Sequence, residues 1–403
     1  MLTTGSASDR DRVHEALHWL GPISARKIED VACLTRARRT AALDALIDEG
    51  WAAASDSRVS TGGRRATLYR LNPDRGLIVG IDIEPGSAAI LVTDTTHGVL
   101  AKDHCPLSPG ESPGGSMARI GARLQTTITG IGRAPGDVIG IGLSLPGTVD
   151  PRTGELVTAP GLAGWGGFTV ADHLRADFPG ARTAAINDAN AMTLQELAVL
   201  RRESGEIGNE SLIVIKMGPN GIGAGMVAYG MLLEGARGAA GEIGHIIVDP
   251  KGASCGCGRR GCLETVAGPQ GMVRRAEAGA RDGASAILAE SVRRNSGFLT
   301  LDDVVQAGRA GDEFANSVII DAGARIGAVV ADLVNIMNPD RIIVGGRLSS
   351  IGASILAAIR QQVYGRASLV STGQLAIEFS GLGEEASLWG AALVAQKSAY
   401  AGT

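Results

Sequence analysis

The chain has 403 residues, 44% hydrophobic and 20% charged, which is enough for two or three globular domains, and its 3% aromatic content disfavours base-stacking proteins that bind single strands. We expect a cytoplasmic protein, because no apolar run reaches the roughly 18 residues of a membrane span and the amino end has no secretion-signal pattern. The net charge of −4 divides into +2 for residues 1–75 (12 Lys+Arg against 10 Asp+Glu) and −6 for the remainder, so a nucleic-acid surface is expected near the amino end.

The first 75 residues predict three short helices followed by a β-hairpin. The predicted helices are 12–20, 24–33 and 36–49, and the predicted strands are 51–55 and 67–71. Ser24 and Thr35 are typical N-caps of the second and third helices, and Gly50 is typical of the residue that follows a helix. The hairpin has a basic tip, STGGRR at 60–65. Elements in this order predict a winged helix-turn-helix domain over residues 1–75.

The third predicted helix is the candidate DNA-reading element, because in a winged helix its first turns face base edges while the hairpin follows the sugar-phosphate backbone. The base-contact candidates are polar residues of these turns: Arg36, Arg38 and Thr40. They fall opposite the apolar face of Leu43, Leu46 and Ile47. Arg39 lies nearer the apolar face and is predicted to reach a phosphate, as are Arg64 and Arg65 at the hairpin tip. The alternative is a small helical cap with a solvated arginine cluster.

Residues 76–403 alternate between strand and helix patterns. The predicted strands are 77–83, 88–93, 138–144, 211–217 and 341–344, and the predicted helices are 189–200, 321–337 and 351–363. This alternation indicates an α/β domain, and its length indicates two lobes.

A cysteine cluster is the most specific chemical signal in the chain. Cys255, Cys257 and Cys262 follow His245, with glycines between them that permit tight turns. Three thiolates and one imidazole form a closed tetrahedral zinc set, so we predict a structural zinc loop over 245–262. A disulfide between two of these cysteines is the alternative, and it would leave the third unpaired in a reducing compartment. The other two cysteines, Cys33 and Cys105, are predicted to be buried thiols.

The segment 235–264, GARGAAGEIGHIIVDPKGASCGCGRRGCLE, closely resembles the signature of the ROK family, named for repressors, open reading frames and kinases. Four further segments resemble its interlobe, catalytic and nucleotide-side motifs: GLSLPGTVD (142–150), AINDANAMTLQE (185–196), NPDRIIVGGRL (338–348) and EEASLWGAALVA (384–395). The winged helix in front resembles the family's regulator branch. The resemblance implies an N-terminal winged helix-turn-helix, followed by a two-lobed actin-like (ribonuclease-H-like) α/β sugar-kinase fold over 76–403 with sugar bound in its cleft.

The resemblance also assigns roles by position. Asp188 matches the catalytic aspartate of the kinases, Asn187 and Glu264 match sugar-hydroxyl ligands, and Glu242 and His245 match a pair that contacts sugar. A carboxylate after Asn at a strand-to-helix turn can accept a hydroxyl proton, although a helix N-cap is the alternative for Asp188. His245 would then link the zinc ion to the sugar-binding residues.

Two departures from the family pattern affect ATP. The kinases open with an Asp-x-Gly-Gly-Thr phosphate loop, where this chain has DIEPG at 82–86. The second phosphate segment, Gly-Thr-Gly-x-Gly in the family, is GPNGIG at 218–223. A phosphate cradle needs free backbone N–H groups, and proline removes one in each segment. ATP is therefore not expected to bind, and Asp188 is interpreted as a vestigial base.

A third departure concerns the sugar. The family's Asn before Gly-Trp is Gly161 here. Its loss removes a hydrogen bond worth roughly 0.5–1.5 kcal/mol, or it admits a larger substituent such as an N-acyl group or a second sugar ring.

These features predict a transcription regulator, most simply a repressor, and not an enzyme. Its expected partners are a double-stranded operator, a sugar or sugar-derivative effector and further copies of the same chain, as a dimer or tetramer. The first alternative is an ATP-dependent sugar kinase, glucokinase-like or specific for amino sugars, with an added DNA-binding domain. The second is a bifunctional protein that binds DNA and retains residual phosphorylation.

Overall fold

The structure is a computed structural model that describes residues 8–59, 66–108, 110–219 and 221–401. It divides into two compact units. The first comprises the chain up to Asn209 together with the segment from Ser387 onward, and the second comprises Glu210–Ala386. Among the described residues, no helix is both long and apolar enough to cross a membrane.

The chain begins with the predicted helices and hairpin. The elements are α1 (Asp9–Leu20), β1 (Ile23–Ser24), α2 (Ala25–Ala32), α3 (Arg36–Asp48), β2 (Ala52–Val59) and β3 (Ala66–Leu71). The three strands form a sheet in the order β1-β3-β2. This is the arrangement of a winged helix, and we call residues 9–71 the winged-helix segment. The hairpin tip, with Arg64 and Arg65, lies outside the described residues.

The predicted caps of α2 and α3 are confirmed. The Ser24 side chain accepts from the backbone N–H of Lys27, and Thr35 accepts from that of Arg38. Gly50 follows α3 with φ of +77°, a conformation that glycine adopts without steric cost. Cys33, expected to be buried, is exposed, because it ends α2 in the left-handed conformation with φ of 52°.

The rest of the first unit is a mixed α/β lobe. Its elements are β4 (Leu77–Glu84), β5 (Ser87–Thr93), β6 (Val99–Pro106), α4 (Pro113–Gly130), β7 (Val138–Leu145), β8 (Glu155–Leu156), β9 (Phe168–Thr169), β10 (Arg182–Asn187) and α5 (Asp188–Ser204). Its five-stranded sheet has the order β10-β7-β4-β5-β6, with β4, β7 and β10 parallel.

The second unit repeats this sheet and adds more helices. Its elements are β11 (Leu212–Met217), β12 (Ile222–Ala228), β13 (Met231–Leu232), α6 (Leu263–Ala267), α7 (Pro269–Arg281), α8 (Ala286–Arg294), α9 (Leu301–Arg309), α10 (Glu313–Met337), β14 (Arg341–Gly346), α11 (Arg347–Ile351), α12 (Ala353–Arg366), α13 (Leu369–Thr372) and β15 (Ala376–Phe379), and α14 (Ala386–Ala401) then returns to the first unit. The sheet order is β13-β12-β11-β14-β15. When the five strands of each sheet are counted in chain order, both sheets read third, second, first, fourth, fifth, the first unit's sheet being read from its β6 edge. This shared order confirms the predicted actin-like fold. We call the part of the first unit from β4 to α5, together with α14, the first lobe.

The winged-helix segment packs on the first lobe through a shared hydrophobic core. Trp51 and Leu71 of the segment belong to one buried cluster with Ile78, Leu91 and Leu388 of the lobe. Burying such side chains stabilises the contact by roughly 1.5–3 kcal/mol each. The predicted domain boundary after residue 75 therefore stays a prediction, because the winged helix and the lobe fall in one compact unit.

Aromatic and cationic side chains extend this contact. The rings of His14 in α1 and Tyr400 in α14 stack with their centroids 3.5 Å apart. The guanidinium of Arg201 in α5 lies 4.6 Å from the ring centroid of Trp19 in α1. Its Nη1 is also 3.9 Å from the Glu15 carboxylate. The first helix of the winged-helix segment is therefore fixed to two helices of the first lobe.

Candidate functional site

The predicted zinc ligands come together in the second unit. The ligand atoms of His245, Cys255, Cys257 and Cys262 all lie within 4.8 Å of one another. The sulfurs of Cys257 and Cys262 are 3.7 Å apart, and the Cys255 sulfur is 3.5 Å from His245 Nδ1. Four soft donors thus surround one point.

These distances fit a tetrahedral zinc ion. Zn–S bonds of about 2.3 Å and Zn–N bonds of about 2.0–2.1 Å place two sulfurs about 3.8 Å apart, and a sulfur and a nitrogen about 3.6 Å apart. A disulfide would need about 2.05 Å between sulfurs, and all three cysteines are free. Because protein atoms supply four donors, the set leaves no coordination position for a catalytic water, and its role would be structural.

The backbone around the cluster is tightly folded. Antiparallel bridges join Ser254 to Arg260 and Ile247 to Cys262. A Cβ added at Gly261 would lie 1.5 Å from the carbonyl oxygen of Asp249. Of the glycines predicted to permit tight turns, Gly261 is therefore required by the close approach of the backbone at this point of the loop.

The environment of the thiols makes metal binding at the cluster dependent on pH. Burial raises the pKa of the Cys255 and Cys262 thiols, whereas a hydrogen bond from the backbone of Arg259 lowers the pKa of Cys257. A buried thiol with a raised pKa keeps its proton at neutral pH. Metal binding at the cluster would therefore release protons and would weaken in acid.

Both predicted sugar-contact carboxylates of this unit lie beside the cluster. Glu242 Oε2 is 3.8 Å from His245 Nε2, and Glu264 Oε1 is 3.7 Å from His245 Nδ1. Glu264 Oε1 also accepts a hydrogen bond of 3.0 Å from the Cys255 thiol. His245 thus faces the cysteines with one nitrogen and Glu242 with the other, the arrangement by which a metal ligand orients its neighbours.

The other two predicted sugar ligands belong to the first unit, at the junction of β10 and α5. The N-cap of α5 is Asn187, whose Oδ1 accepts from the Asn190 backbone at 3.0 Å and whose Nδ2 donates to Gly147 at 2.8 Å. Asp188 is the first helical residue, and its Oδ1 accepts from Ala189 N–H at 2.9 Å. The capping role considered for Asp188 therefore belongs to its neighbour Asn187, and Asp188 is the first residue of the helix.

The two segments that depart from the family's phosphate-loop pattern both lie between antiparallel strands. Residues 85 and 86 form the β4–β5 turn, where Pro85 offers no N–H and Gly86 has φ of +89°. In the second unit, Gly218 N–H donates to Gly221 across the β11–β12 turn. A Cβ at Gly221 would meet the Glu264 carboxylate at 2.8 Å, so a negative charge lies against this turn.

The predicted DNA-reading residues are exposed on α3, apart from Arg39. Arg36, Arg38 and Thr40 are exposed, and Arg38 forms two hydrogen bonds of 2.6 Å with the carboxylate of Asp9 in α1. The side chain of Arg39 is only 12% exposed and is paired with Glu29 at 2.7 Å. The pair between Asp9 and Arg38 was not predicted from the sequence, because it joins residues of two helices that are 29 positions apart in the chain.

A scan against protein-family models matches residues 78–398 to a model described as the ROK family. A glucokinase of Halalkalibacterium halodurans is 35% identical over 286 residues, which are 70% of this chain and 84% of the relative. A xylose repressor of Caldicellulosiruptor bescii is 29% identical over 371 residues, 91% of this chain and 90% of the relative. A crystal structure of a ROK family transcriptional regulator, a homologue of the Escherichia coli MLC protein, superposes with a TM-score of 0.80 at 24% identity and covers 98% of this chain and 96% of its own.

Proposed function

The chain belongs to the ROK family, and from that premise we propose that it is a sugar-responsive, DNA-binding transcriptional repressor of the reducing cytoplasm. One observation carries the proposal. A winged-helix segment, with basic residues exposed on its third helix, precedes the part of the chain that the family model matches. The repressor relative supports it. Its match leaves only 9% of this chain uncovered, which is less than residues 1–75, so the match includes part of the winged-helix region.

The proposed repressor acts as a homodimer or a dimer of dimers, so that two winged helices read a two-fold symmetric operator. The candidate residues for binding a sugar or sugar derivative are Asn187 and Asp188 in the first unit, and Glu242, His245 and Glu264 in the second. Zinc on His245 would orient the neighbouring carboxylates of the second unit. An effector changes repression only if it binds the DNA-competent and DNA-incompetent conformations with different affinity.

The direct test measures binding of the full chain to the DNA upstream of its own gene and to random duplexes of equal length, at about 150 mM salt. We expect a preference of about a thousandfold or more, the ordinary ratio for specific regulators. Equal affinity for both DNAs would refute the proposal.

Substitutions at Arg38 and at its partner Asp9 distinguish a base contact from a sequence-independent phosphate contact. We expect Arg38→Ala to weaken operator binding at least about tenfold while random DNA is affected less, because a base contact carries sequence information. We expect Asp9→Asn to act in the opposite direction, since it releases Arg38 from its intramolecular partner. Fluorescence anisotropy on both DNAs measures both variants. An equal loss on operator and random DNA would make Arg38 a phosphate contact.

The proposed sugar site is tested by ligand-dependent stabilisation. We expect one class of sugar in a thermal-shift library to raise the melting temperature, since a ligand present at 100 times its Kd stabilises the native state by about 2.7 kcal/mol. Glu242→Gln should reduce this shift while the zinc content stays unchanged, and Glu290→Gln, an exposed carboxylate on α8, serves as the control. A sugar shift that survives Glu242→Gln in full would remove Glu242 from the site.

The second candidate function is sugar phosphorylation, favoured by the glucokinase relative and by the retained Asp188. We expect ADP release to stay at background with every hexose and amino sugar tested, because a proline interrupts both phosphate turns. A coupled assay measures this. Turnover that disappears in Asp188→Ala would establish a kinase or a bifunctional protein.

A further inference from the structure

A cavity of about 360 Å³ lies inside the first unit, between the winged-helix segment and the first lobe. The segment contributes the end of α1, the α1–β1 connection, one residue of β2 and the end of β3. The lobe contributes the turn after β5, the end of α5 and one residue of α14. The residues that carry the argument are His18, Arg70, His97, Arg202 and Trp389. Small-molecule sites commonly measure about 300–1,000 Å³, so the volume suits a small ligand.

The described part of this cavity's lining is cationic. Arg70 of β3 and Arg202 of α5 both line it, and none of its described lining residues is Asp or Glu. Neither arginine forms an ion pair or hydrogen bond with a described residue, whereas Arg10, Arg38 and Arg39 nearby are each paired with a carboxylate. Among the described residues, these two guanidinium groups have no carboxylate partner, so they create a positive potential at the cavity.

Polar atoms without partners lie around the same cavity. The Nδ1 of His18, both ring nitrogens of His97, the Nε of Arg70 and the Nε1 of Trp389 have no hydrogen-bond partner within the described chain. His18 is only 9% exposed, and its ring lies 5.6 Å from that of His97. Buried polar groups in proteins nearly always have partners, so such a cluster marks a place where a polar group is missing.

The lowered pKa values of His18 and His97 agree with a buried cavity that has cationic surroundings. Burial lowers the pKa of His97 to about 4, and the charge of Arg202 adds to the effect, while Asp94 opposes it. The Asp94 carboxylate is engaged in its own turn, where it accepts from Thr96 and Gly98. Burial also lowers the pKa of His18, and His97, His14, Arg202 and Lys397 lower it further.

We propose that this cavity binds a small phosphate-bearing molecule, with Arg70 and Arg202 as its principal partners and His18, His97 and Trp389 as further donors. A phosphate fits better than a carboxylate, because it offers more acceptor oxygens and a larger charge to donors that come from different elements. The site is separate from the sugar-binding residues and does not depend on DNA binding. Its occupant would contact both the winged-helix segment and the first lobe, and so would hold the two together.

Isothermal titration of the full chain tests the proposal with three probes: inorganic phosphate, glucose 6-phosphate and glucose, at pH 7.5 and constant ionic strength. We expect at least one phosphate-bearing probe to bind, and its affinity to fall at least tenfold in Arg70→Gln and in Arg202→Gln. Arg26→Gln is the matched control, because it removes the same charge from an exposed position outside the cavity. Binding of inorganic phosphate identifies a site for the phosphate group alone, and binding of glucose 6-phosphate alone identifies a site for an organic phosphate.

Three results would overturn the proposal. The first is that neither phosphate probe binds, and the second is that Arg26→Gln loses as much affinity as the cavity variants. The third is that Asp188→Ala loses affinity while Arg70→Gln keeps it, which would place the ligand at the sugar-binding residues instead. Should the arginine variants fail to fold, NMR of the histidine rings in the wild-type chain decides. Phosphate must then shift the His18 and His97 resonances, assigned through His97→Gln, and an unchanged spectrum refutes the site.

Discussion

Replacing Cys262 with serine is expected to abolish the zinc binding predicted for the cysteine cluster of the second unit. Cys262 is fully buried at the start of α6, and a serine oxygen is a poor substitute for a thiolate ligand of zinc. Structural zinc sites bind with apparent free energies of about 10–16 kcal/mol, so the loss of one ligand affects the whole loop. The zinc content, measured by plasma mass spectrometry, should fall from about one ion per chain to near zero.

The same variant should blunt the response to sugar, because His245 contacts both Glu242 and Glu264. Cys33→Ser is the matched control, since it alters an exposed thiol outside the cluster and should leave zinc and sugar response unchanged. Wild-type protein that carries no zinc after purification in zinc-supplemented medium would contradict the prediction.

The stability of the first unit is expected to fall by roughly 3 kcal/mol between pH 7.5 and pH 5.5 from two histidines alone, at about 1.4 kcal/mol each. Burial lowers the pKa of His14 to about 3 and that of His97 to about 4. An unfolded histidine has a pKa near 6.5, so below that pH the unfolded chain binds more protons than the folded chain. The stability that these histidines contribute above pH 6.5 is therefore lost on acidification. His18 acts in the same direction. Asp103 and Asp150, whose pKa values are about 2, contribute only in stronger acid.

Urea unfolding followed by tryptophan fluorescence measures this loss of stability in the first unit. All four tryptophans, at 19, 51, 165 and 389, belong to the first unit, so the fluorescence signal reports on that unit. His14→Phe should reduce the loss by about 1.4 kcal/mol while it keeps a ring against Tyr400. His104→Gln, at an exposed position, should not reduce it. A free energy of unfolding that stays constant over this range would contradict the assigned burial.

Local patterns in the sequence were sufficient to predict the features that depend on neighbouring residues. Ser24 and Thr35 cap helices because a cap involves residues two or three positions apart, and the cysteine cluster spans eight residues. The predicted strand pattern also located five strands of the two sheets, since their buried positions form continuous apolar runs.

Features that depend on distant residues were not predicted. The two-residue strand β1 exists only because it pairs with β3, more than 40 residues later. The edge strand β6 alternates between exposed and partly buried positions and was not recognised as a strand. The Asp9–Arg38 pair and the packing of His14 against Tyr400 likewise join segments that only the tertiary fold brings together.

Helix α5 connects two of the surfaces described above. It begins at Asp188, where the sugar is proposed to bind. Near its other end, Arg201 lies over Trp19 of α1, and α1 packs on α3, the helix proposed to read DNA. The 17 residues of α5 span about 25 Å, so a tilt of about 10° at Asp188 would displace the far end by about 4 Å. Coupling of this kind is reciprocal in free energy. In the proposed repressor the operator would therefore itself be an effector: it would change the affinity for sugar by the same factor by which sugar changes the affinity for DNA.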